Sequence, residues 1–252
     1  MKIIGSDYDG TLLIKDKVDE KCVEAIKLWQ NKGNKFGIVT GRSSTSTKKE
    51  MISNNLNPDF IICNNGGVIL DAKFNVLKLT LINPDVISSI IDLIKTKECS
   101  ELSLNDGEYR DSIRLDDKRI IRNLMAPIKS VDQMIADKKV AQIVCGFKKQ
   151  EDANNCAEVI NSKFSEYVEA FENIGCVDIV PKGCDKAKGL SEVAELFNYP
   201  LEDVYAIGDS FNDIPMLKQF KSAALEHSVK EVQRHASTLV EDIYEFIEIL
   251  KQ

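Results

Sequence analysis

The chain has 252 residues, a formal net charge of −7 and a hydrophobic content of 43%. This length allows one large or two small domains with a buried core. The acidic balance argues against a protein that binds nucleic acid or an anionic membrane surface.

Two further features of the composition bear on location. No apolar run reaches the roughly 18 residues that a membrane span requires, and the apolar stretch near the N-terminus is too short for a signal peptide. The seven cysteines are scattered without a CxxC pair. This pattern is typical of reduced thiols in a cytoplasmic protein rather than of a disulfide framework or a zinc site.

The first 63 residues alternate between strand and helix patterns. An apolar run over 2–8 predicts a buried strand that ends in an Asp-Gly turn. Apolar spacing then predicts an amphipathic helix around 22–29, followed by a strand over 35–40. A helix over 44–54 leads to a third strand over 59–63. This alternation is the signature of a parallel sheet covered by helices.

The pattern changes in the middle of the chain. An Asn-Asn-Gly-Gly turn over 64–67 precedes a predicted hairpin, and a stripe of isoleucines predicts a helix that begins at Pro84. Two more helices and several short strands follow, which favours an α+β unit with a largely antiparallel sheet. These strands are expected over 101–105, 108–115, 140–147, 167–171 and 176–181.

Alternation of helices and strands returns at residue 183. The elements expected there are helices over 186–198, 212–219 and 229–236, strands over 203–207, 222–225 and 238–240, and a C-terminal helix. We therefore predict an α/β fold, a Rossmann-like doubly wound parallel sheet with an inserted α+β domain. The core would comprise 1–82 and 183–252, and the insert 83–182.

Two pairs of carboxylates follow predicted strands. Asp7 and Asp9, two apart in extended backbone, project from one face. Asp209 and Asp213 follow the strand over 203–207, and parallel strands end at one edge of the sheet. Four such carboxylates repel one another without a cation, and their oxygens suit Mg²⁺. Either pair alone is also explained by turns and helix caps rich in Asp.

Two other segments supply hydrogen-bond donors or positive charge. The segment 40–42, Thr-Gly-Arg, places a hydroxyl and free N–H groups at a helix start, which suits a phosphate, although a simple N-cap has the same pattern. Lys186 begins a helix, where its charge opposes the helix dipole. That position favours a function, but a solvated lysine is the common alternative.

Together these motifs resemble those of the haloacid dehalogenase superfamily of phosphohydrolases, in the Cof-type branch, subclass IIB. The motifs that carry the resemblance, in order, are Asp7-Tyr8-Asp9-Gly10-Thr11, Thr40-Gly41-Arg42, Lys186, and Gly208-Asp209 with Asn212-Asp213. The turn over 64–67 also resembles the Cof-type branch. The resemblance implies that the insert is a type-two cap domain between the second and third motifs.

The resemblance also implies catalytic roles. Asp7 would be the nucleophile that forms an aspartyl-phosphate, and Asp9 would be the general acid and base. Lys186 would offset the charge repulsion between Asp7 and the phosphate.

Ligands for the substrate and the metal are implied in the same way. The residues that would bind substrate are Thr40, Gly41, Arg42 and Asn212, with Asn212 reaching toward the phosphate. Mg²⁺ would be bound by the side chains of Asp7 and Asp209 and by the backbone carbonyl of Asp9. Asp213 would hold metal-bound water or orient Lys186.

Specificity would come from cap residues that share no motif. One candidate is a basic cluster, although interspersed acidic residues favour a solvated surface. Its members are Arg110, Arg114, Lys118, Arg119 and Arg122. A second candidate is Asp178, for a sugar hydroxyl. Glu226 and His227 replace part of a turn that is usual in the branch, and no role is assigned to them.

We expect a Mg²⁺-dependent cytoplasmic phosphatase, monomer or homodimer, that acts on small phosphorylated metabolites and has no nucleic-acid or membrane partner. Sugar phosphates are the first expectation, and flavin mononucleotide or pyridoxal phosphate the second. Within the same fold, a phosphomutase of the phosphomannomutase type is the competing hypothesis. Two different classes of protein, a non-catalytic binding or regulatory module on the same scaffold and a receiver-like signalling domain, fit the motifs less well.

Overall fold

The structure, a computed structural model, describes residues 1–115, 129–173 and 175–251. Its strands are β1 (Ile3–Ser6), β2 (Leu13–Ile14), β3 (Lys17–Val18), β4 (Lys35–Val39), β5 (Phe60–Cys63), β6 (Val68–Asp71), β7 (Val76–Leu79), β8 (Cys99–Asn105), β9 (Arg110–Arg114), β10 (Gln142–Phe147), β11 (Val168–Asn173), β12 (Cys176–Pro181), β13 (Val204–Gly208), β14 (Lys221–Leu225) and β15 (Thr238–Val240). Its helices are α1 (Glu20–Asn31), α2 (Ser44–Ser53), α3 (Pro84–Lys95), α4 (Val131–Ala136), α5 (Gln150–Lys163), α6 (Lys186–Leu196), α7 (Ile214–Gln219), α8 (Lys230–Gln233) and α9 (Ile243–Leu250).

An eight-stranded sheet runs in the order β15-β14-β13-β1-β4-β5-β6-β7. Strands β15 through β5 are parallel, and β6 and β7 are antiparallel. Strand β1 lies between β4 and the much later β13, so the chain order reverses there. Such a switch point leaves a crevice at the carboxyl ends of the strands, where open α/β sheets bind ligands. The predicted α/β class is confirmed.

Helices cover both faces of this sheet because successive residues of a strand point to opposite sides. In β1, Ile4 belongs to the apolar cluster that contains Trp29 of α1 and Ile247 of α9. Its neighbour Ile3 belongs to a different cluster, together with Leu190 of α6. Burial on both faces keeps β1 fixed and leaves only its end available for chemistry.

A second sheet, of five antiparallel strands, runs in the order β11-β12-β10-β8-β9. It has its own apolar cluster, which includes Ile91 of α3, Ile143 of β10 and Ile160 of α5. The insert is therefore an α+β unit with a separate core. The predicted bounds 83 and 182 lie beside the start of α3 and the end of β12.

Two short strands were not predicted. Strands β2 and β3 pair as a hairpin with a two-residue turn, directly after the first acidic motif. The turn residues, Lys15 and Asp16, have left-handed φ values of 51° and 59°. Strands this short show no periodicity, and Lys-Asp is not among the pairs that signal such a turn. Among the described residues, no helix has both the length and the apolar character to span a membrane.

Candidate active site

Three carboxylates converge at the switch point. Asp7 follows β1, and its N–H donates to the carbonyl oxygen of Ile207 on the adjacent β13 at 2.9 Å. Asp209 and Asp213 follow β13. One oxygen from each of Asp7, Asp209 and Asp213 lies within 4.8 Å of the other two. The parallel pairing of β1 with β13 therefore brings together three of the four carboxylates that the two motifs supply, without Asp9.

Lys186, at the start of α6, extends into this cluster and is 1% exposed. Its Nζ donates to Asp7 Oδ1 at 2.6 Å and to Asp213 Oδ1 at 2.5 Å. Burial alone lowers the pKa of Lys186, but the charges of Asp213 and Asp7 outweigh burial and raise it overall. The side chain is thus a buried ammonium ion, and the solvated alternative is wrong.

Hydrogen bonds from neighbouring residues hold the other two carboxylates in place. Asp209 Oδ1 accepts from the Thr11 hydroxyl at 2.6 Å. Asp213 Oδ2 accepts from the N–H groups of Asp209 and Ser210 at 3.0 and 2.8 Å. Gly10, with φ of 89°, packs against Asp209, because an added Cβ would lie 2.4 Å from its Oδ2. Close packing at this turn leaves no room for a side chain.

The cluster holds more carboxylates than cations. Burial raises the pKa of Asp7 well above its usual range, the Asp213 charge adds to this effect, and Lys186 opposes it. Burial also raises the pKa of Asp209. A hard divalent cation with oxygen ligands relieves such crowding, so the donor set of Asp7, Asp209 and Asp213 fits Mg²⁺.

Asp9 lies apart from these three carboxylates and binds Arg42. Arg42 Nε and Nη2 donate to Asp9 Oδ2 and Oδ1 at 2.8 and 2.6 Å, a bidentate pair. Nη1 of Arg42 also contacts Glu50 Oε1 at 2.7 Å, and the guanidinium lies 5.2 Å from the centre of the Tyr8 ring. Arg42, which was predicted to bind substrate, is therefore hydrogen-bonded to Asp9, the predicted general acid and base.

The remaining predicted substrate ligands surround Asn65. The carbonyl oxygen of Thr40 accepts from the Asn65 N–H at 3.0 Å, and a Cβ on Gly41 would lie 3.3 Å from the Asn65 amide. Asn212 Nδ2 donates to Asn65 Oδ1 at 3.0 Å. The motifs after β4 and β13 are thus joined through a residue of the turn after β5.

These residues open onto a cavity of about 220 Å³ between the two sheets. The larger sheet and its loops contribute Asp7, Asp9, Thr40, Gly41, Arg42, Ser210 and Asn212, and the insert contributes Arg110, Val144, Asn173, Cys176 and Asp178. We call this space the active cavity. Lys186, Asp209 and Asp213 support its floor through the contacts described above. Every predicted site residue therefore lies in or directly behind one cavity, and the chemical roles of these residues stay predictions.

Only some of the residues predicted to set specificity line the active cavity. Arg110 and Asp178 line the active cavity, whereas Arg114 does not. The other three members of the basic cluster, Lys118, Arg119 and Arg122, lie outside the described residues. Glu226 is exposed, and His227 Nε2 lies 4.0 Å from Asp209 Oδ2 at the edge of the acidic cluster.

Some residues of the site were missed from the sequence. Asn65 received no role, although it is 1% exposed and contacts Asn212 and Asp178. Two consecutive Asn before Gly do signal left-handed backbone, which is the one clue the sequence offered. Val144 and Cys176 belong to no motif, so only the packing of the insert reveals them.

Comparison with known proteins supports this geometry. A family model described as haloacid dehalogenase-like hydrolase matches residues 4–245. A 5-amino-6-(5-phospho-D-ribitylamino)uracil phosphatase, YwtE, of Bacillus subtilis is 24% identical over 94% of this chain and 92% of that protein. An HMP-PP phosphatase of Yersinia pseudotuberculosis is 24% identical over 86% of this chain and 81% of that protein.

The fold has solved counterparts as well. A phosphatase of the haloalkanoate (HAD) enzyme superfamily from Bacteroides thetaiotaomicron superposes with a TM-score of 0.80 at 22% identity, over 100% of this chain and 94% of that one. The family model spans nearly the whole chain, including every motif at the active cavity. The chain therefore belongs to the haloacid dehalogenase-like hydrolase family and is a Cof-type phosphohydrolase, as its motifs predicted.

Proposed function

We propose that the chain is a Mg²⁺-dependent phosphatase of small phosphorylated metabolites, with sugar and sugar-alcohol phosphates as the first substrate class. The observation that carries this proposal is the Asp7 carboxylate, held by a buried Lys186 beside two further carboxylates at the floor of the active cavity. The Bacillus subtilis relative is named for a phosphate ester of a ribityl group, which agrees with this class.

Asp7 acts as the nucleophile. One of its oxygens attacks phosphorus, the bond to the leaving oxygen breaks, and an aspartyl-phosphate forms. Lys186, held at 2.6 Å from Asp7, offsets the negative charge that builds up as two anionic groups approach. Bound Mg²⁺ would supply further positive charge to the phosphoryl oxygens.

Asp9 moves the protons. It donates one to the leaving alcohol and then takes one from the water that hydrolyses the aspartyl-phosphate, which frees Asp7 and inorganic phosphate. Its half-exposed side chain lines the active cavity, where both the alcohol and the water must pass. Arg42 fixes the direction of this carboxylate through two hydrogen bonds.

The proposal is tested by phosphate release from p-nitrophenyl phosphate and from a panel of sugar, sugar-alcohol, nucleotide and cofactor phosphates. We expect release with Mg²⁺ and none with EDTA. Asp7→Asn removes the nucleophile, so its rate should fall by about a thousandfold or more. Asp59→Asn is the matched control, because Asp59 pairs with Lys35 away from the cavity. This variant should keep full activity.

Three outcomes would contradict the proposal. Activity in Asp7→Asn equal to that of the Asp59→Asn control would show that Asp7 is not the nucleophile. Conversion of a sugar phosphate to its isomer without free phosphate would identify a phosphomutase instead. A folded wild-type protein that alters no phosphate ester in the panel would favour the non-catalytic binding module.

A further inference from the structure

The turn between β5 and β6 joins the two sheets through its side chains. Asn64 and Asn65 are buried, with left-handed φ values of 52° and 50°. Asn64 Oδ1 accepts from Asn105 Nδ2, on β8, at 3.0 Å. Asn65 Nδ2 donates to Asp178 Oδ2, on β12, at 3.1 Å. Both Asn side chains therefore reach from the larger sheet into the insert.

Asn65 also faces the catalytic motifs. Its Oδ1 accepts from Asn212 Nδ2 at 3.0 Å, and Asn212 lines the active cavity. Asn65, Asn212 and Asp178 are each more than nine-tenths buried. The three side chains form a continuous hydrogen-bonded row, from the insert to the segment after β13, which we call the amide relay.

The polarity of the amide relay is set at its insert end. An ionised carboxylate only accepts hydrogen bonds. Asp178 accepts from Asn65 at Oδ2 and from Gln142 Nε2 at Oδ1, 3.0 Å away. Asn65 must therefore turn its nitrogen to Asp178 and its oxygen to Asn212. Asn212 in turn must point its nitrogen at Asn65, because a buried amide facing the wrong way leaves polar atoms unpaired.

We propose that Asp178 and Asn65 are positioning residues that fix the orientation of the Asn212 amide, so that the active cavity is set correctly only when the insert is seated on the larger sheet. The inference rests on the proposed function. Among the described residues, Asn212 Oδ1 is buried and has no hydrogen-bond partner, so the bond from its nitrogen to Asn65 is the contact that orients this amide. Asp178 acts through Asn65 and Asn212.

A charge swap tests the relay. In Asp178→Asn, the amide at position 178 can present either its oxygen or its nitrogen to Asn65, because Gln142 Oε1 has no partner among the described residues and Gln142 can reverse. The orientation of Asn65, and through it that of Asn212, is then no longer fixed. In Asn65→Asp, two carboxylates face each other. In the double variant Asn65→Asp/Asp178→Asn, the amide at position 178 donates to the carboxylate at position 65, and that carboxylate accepts from Asn212. The orientation of Asn212 is restored.

We expect Asp178→Asn to lower kcat/KM for the best substrate of the panel about tenfold, because the direction of a buried amide is no longer fixed. Asn65→Asp should lower it at least as much. The double variant should return to within about threefold of wild type, since the two sites are coupled. Asp111→Asn is the control: Asp111 is an equally buried carboxylate of the insert that accepts from the Val131 N–H, and it should leave kcat/KM unchanged.

A rescue of this kind does not arise from loss of stability alone. The inference is overturned if kcat/KM of Asp178→Asn stays within about twofold of wild type, or if the double variant is no better than the weaker single one. Melting temperatures of all variants show whether lost activity only follows lost folding, which would also overturn it.

A spectroscopic measurement keeps the test independent of turnover. In ¹⁵N-labelled protein, the side-chain NH₂ signal of Asn65 is identified by its absence from Asn65→Ala. Donation to a carboxylate should place one of its protons downfield in wild type and in Asp111→Asn, and this shift should disappear in Asp178→Asn. An unchanged Asn65 signal in Asp178→Asn would refute the relay, and a chain without phosphatase activity would refute the proposed function separately.

Discussion

Arg42 holds Asp9 by a bidentate pair and is itself held by Glu50. A general acid must present its proton to the leaving oxygen, so its direction matters as much as its pKa. The Thr-Gly-Arg motif was interpreted as a phosphate cradle, and the structure adds a second use for its arginine. Under the proposed function, one short segment after β4 serves both the phosphate and the proton-transfer group.

Replacing this arginine should separate substrates by their leaving groups. In Arg42→Ala, Asp9 loses its support, so kcat/KM for a sugar phosphate, which reports the first step, should fall by about 10- to 100-fold, less than the roughly 10²–10⁴-fold that acid–base catalysis as a whole contributes. p-Nitrophenolate leaves without protonation, so kcat/KM for p-nitrophenyl phosphate should fall much less. Glu50→Gln keeps the bidentate pair and serves as control. Equal losses for both substrates in Arg42→Ala would argue against orientation of Asp9.

The crowded carboxylates should weaken the fold when no metal is bound. Burial and Asp213 raise the pKa of Asp7, so its ionised form is disfavoured in the folded state. This destabilisation is absent below the ordinary pKa of aspartate and develops as pH rises through the raised value. Asp7→Asn in EDTA should therefore melt several degrees higher than wild type at pH 7, where about 1 kcal/mol shifts the melting temperature of a chain this long by about 2–4 °C.

Comparing the melting temperatures of Asp7→Asn and wild type at pH 4 tests whether ionisation of Asp7 causes the difference. There the wild-type carboxyl is protonated, so the advantage of Asp7→Asn should shrink toward zero. Calorimetry at both pH values, with Asp59→Asn beside it, measures the difference. An advantage for Asp7→Asn that is equal at pH 4 and pH 7 would mean that ionisation of Asp7 is not its cause.

At the scale of elements, Gly66 is where the turn after β5 touches the start of α6. Its φ is 101°, and an added Cβ would lie 2.2 Å from the carbonyl oxygen of Asp185. Asp185 caps α6, and the next residue is Lys186. The backbone of the turn after β5 therefore sets the position of Lys186 on α6.

Gly66→Ala should push α6 away and carry Lys186 with it. Gly183→Ala is a close control, because Gly183 also has a left-handed φ, 75°, but has open space around its Cβ. Both variants should lose about 1 kcal/mol from strained backbone, and only Gly66→Ala should also lose most of its phosphate release. Melting temperatures and phosphate release measure the two effects. Equal activity in the two variants would contradict the close-contact argument.

The elements also show which parts of the structure sequence patterns predict. Helices α1 and α3 and the strands on either side of the switch point were predicted nearly in full, because each buries a periodic apolar stripe. Helix α8 is half as long as predicted, since only Val232 of its four residues is buried. The β2–β3 hairpin was missed because tertiary packing rather than local pattern defines it. Similarly, nothing local to Lys186 predicts its burial.

At the scale of the whole molecule, the two sheets carry separate apolar clusters. Trp29, the single tryptophan of the chain, lies in the cluster of the larger sheet and donates to the carbonyl oxygen of Lys35 at 3.0 Å. Ile143 lies at the centre of the five-stranded sheet. Trp29 fluorescence therefore reports on one body only, whereas far-ultraviolet circular dichroism reports on both.

This separation predicts that the two sheets unfold in separate transitions when the packing of the insert is weakened. Ile143→Ala should cost about 2–5 kcal/mol of packing within the five-stranded sheet. The circular dichroism transition should then begin at lower denaturant, while the Trp29 transition stays near its wild-type midpoint. In Ile38→Ala, on β4 and in the same apolar cluster as Trp29, the fluorescence transition should move instead. Coincident shifts of both probes in Ile143→Ala would mean that the chain unfolds as one unit and would argue against the predicted domain bounds.

Strand β7 has a consequence that lies outside catalysis. It forms one edge of the eight-stranded sheet, and Val76, Leu77 and Leu79 are 59%, 46% and 40% exposed. An apolar edge with unpaired backbone groups is a template on which another chain can add a strand. Lys78 is the one charge within β7, and its salt bridge to Glu192, 2.6 Å long, anchors it there. Self-association of a concentrated sample should therefore depend on this lysine and leave the chemistry of the cavity untouched.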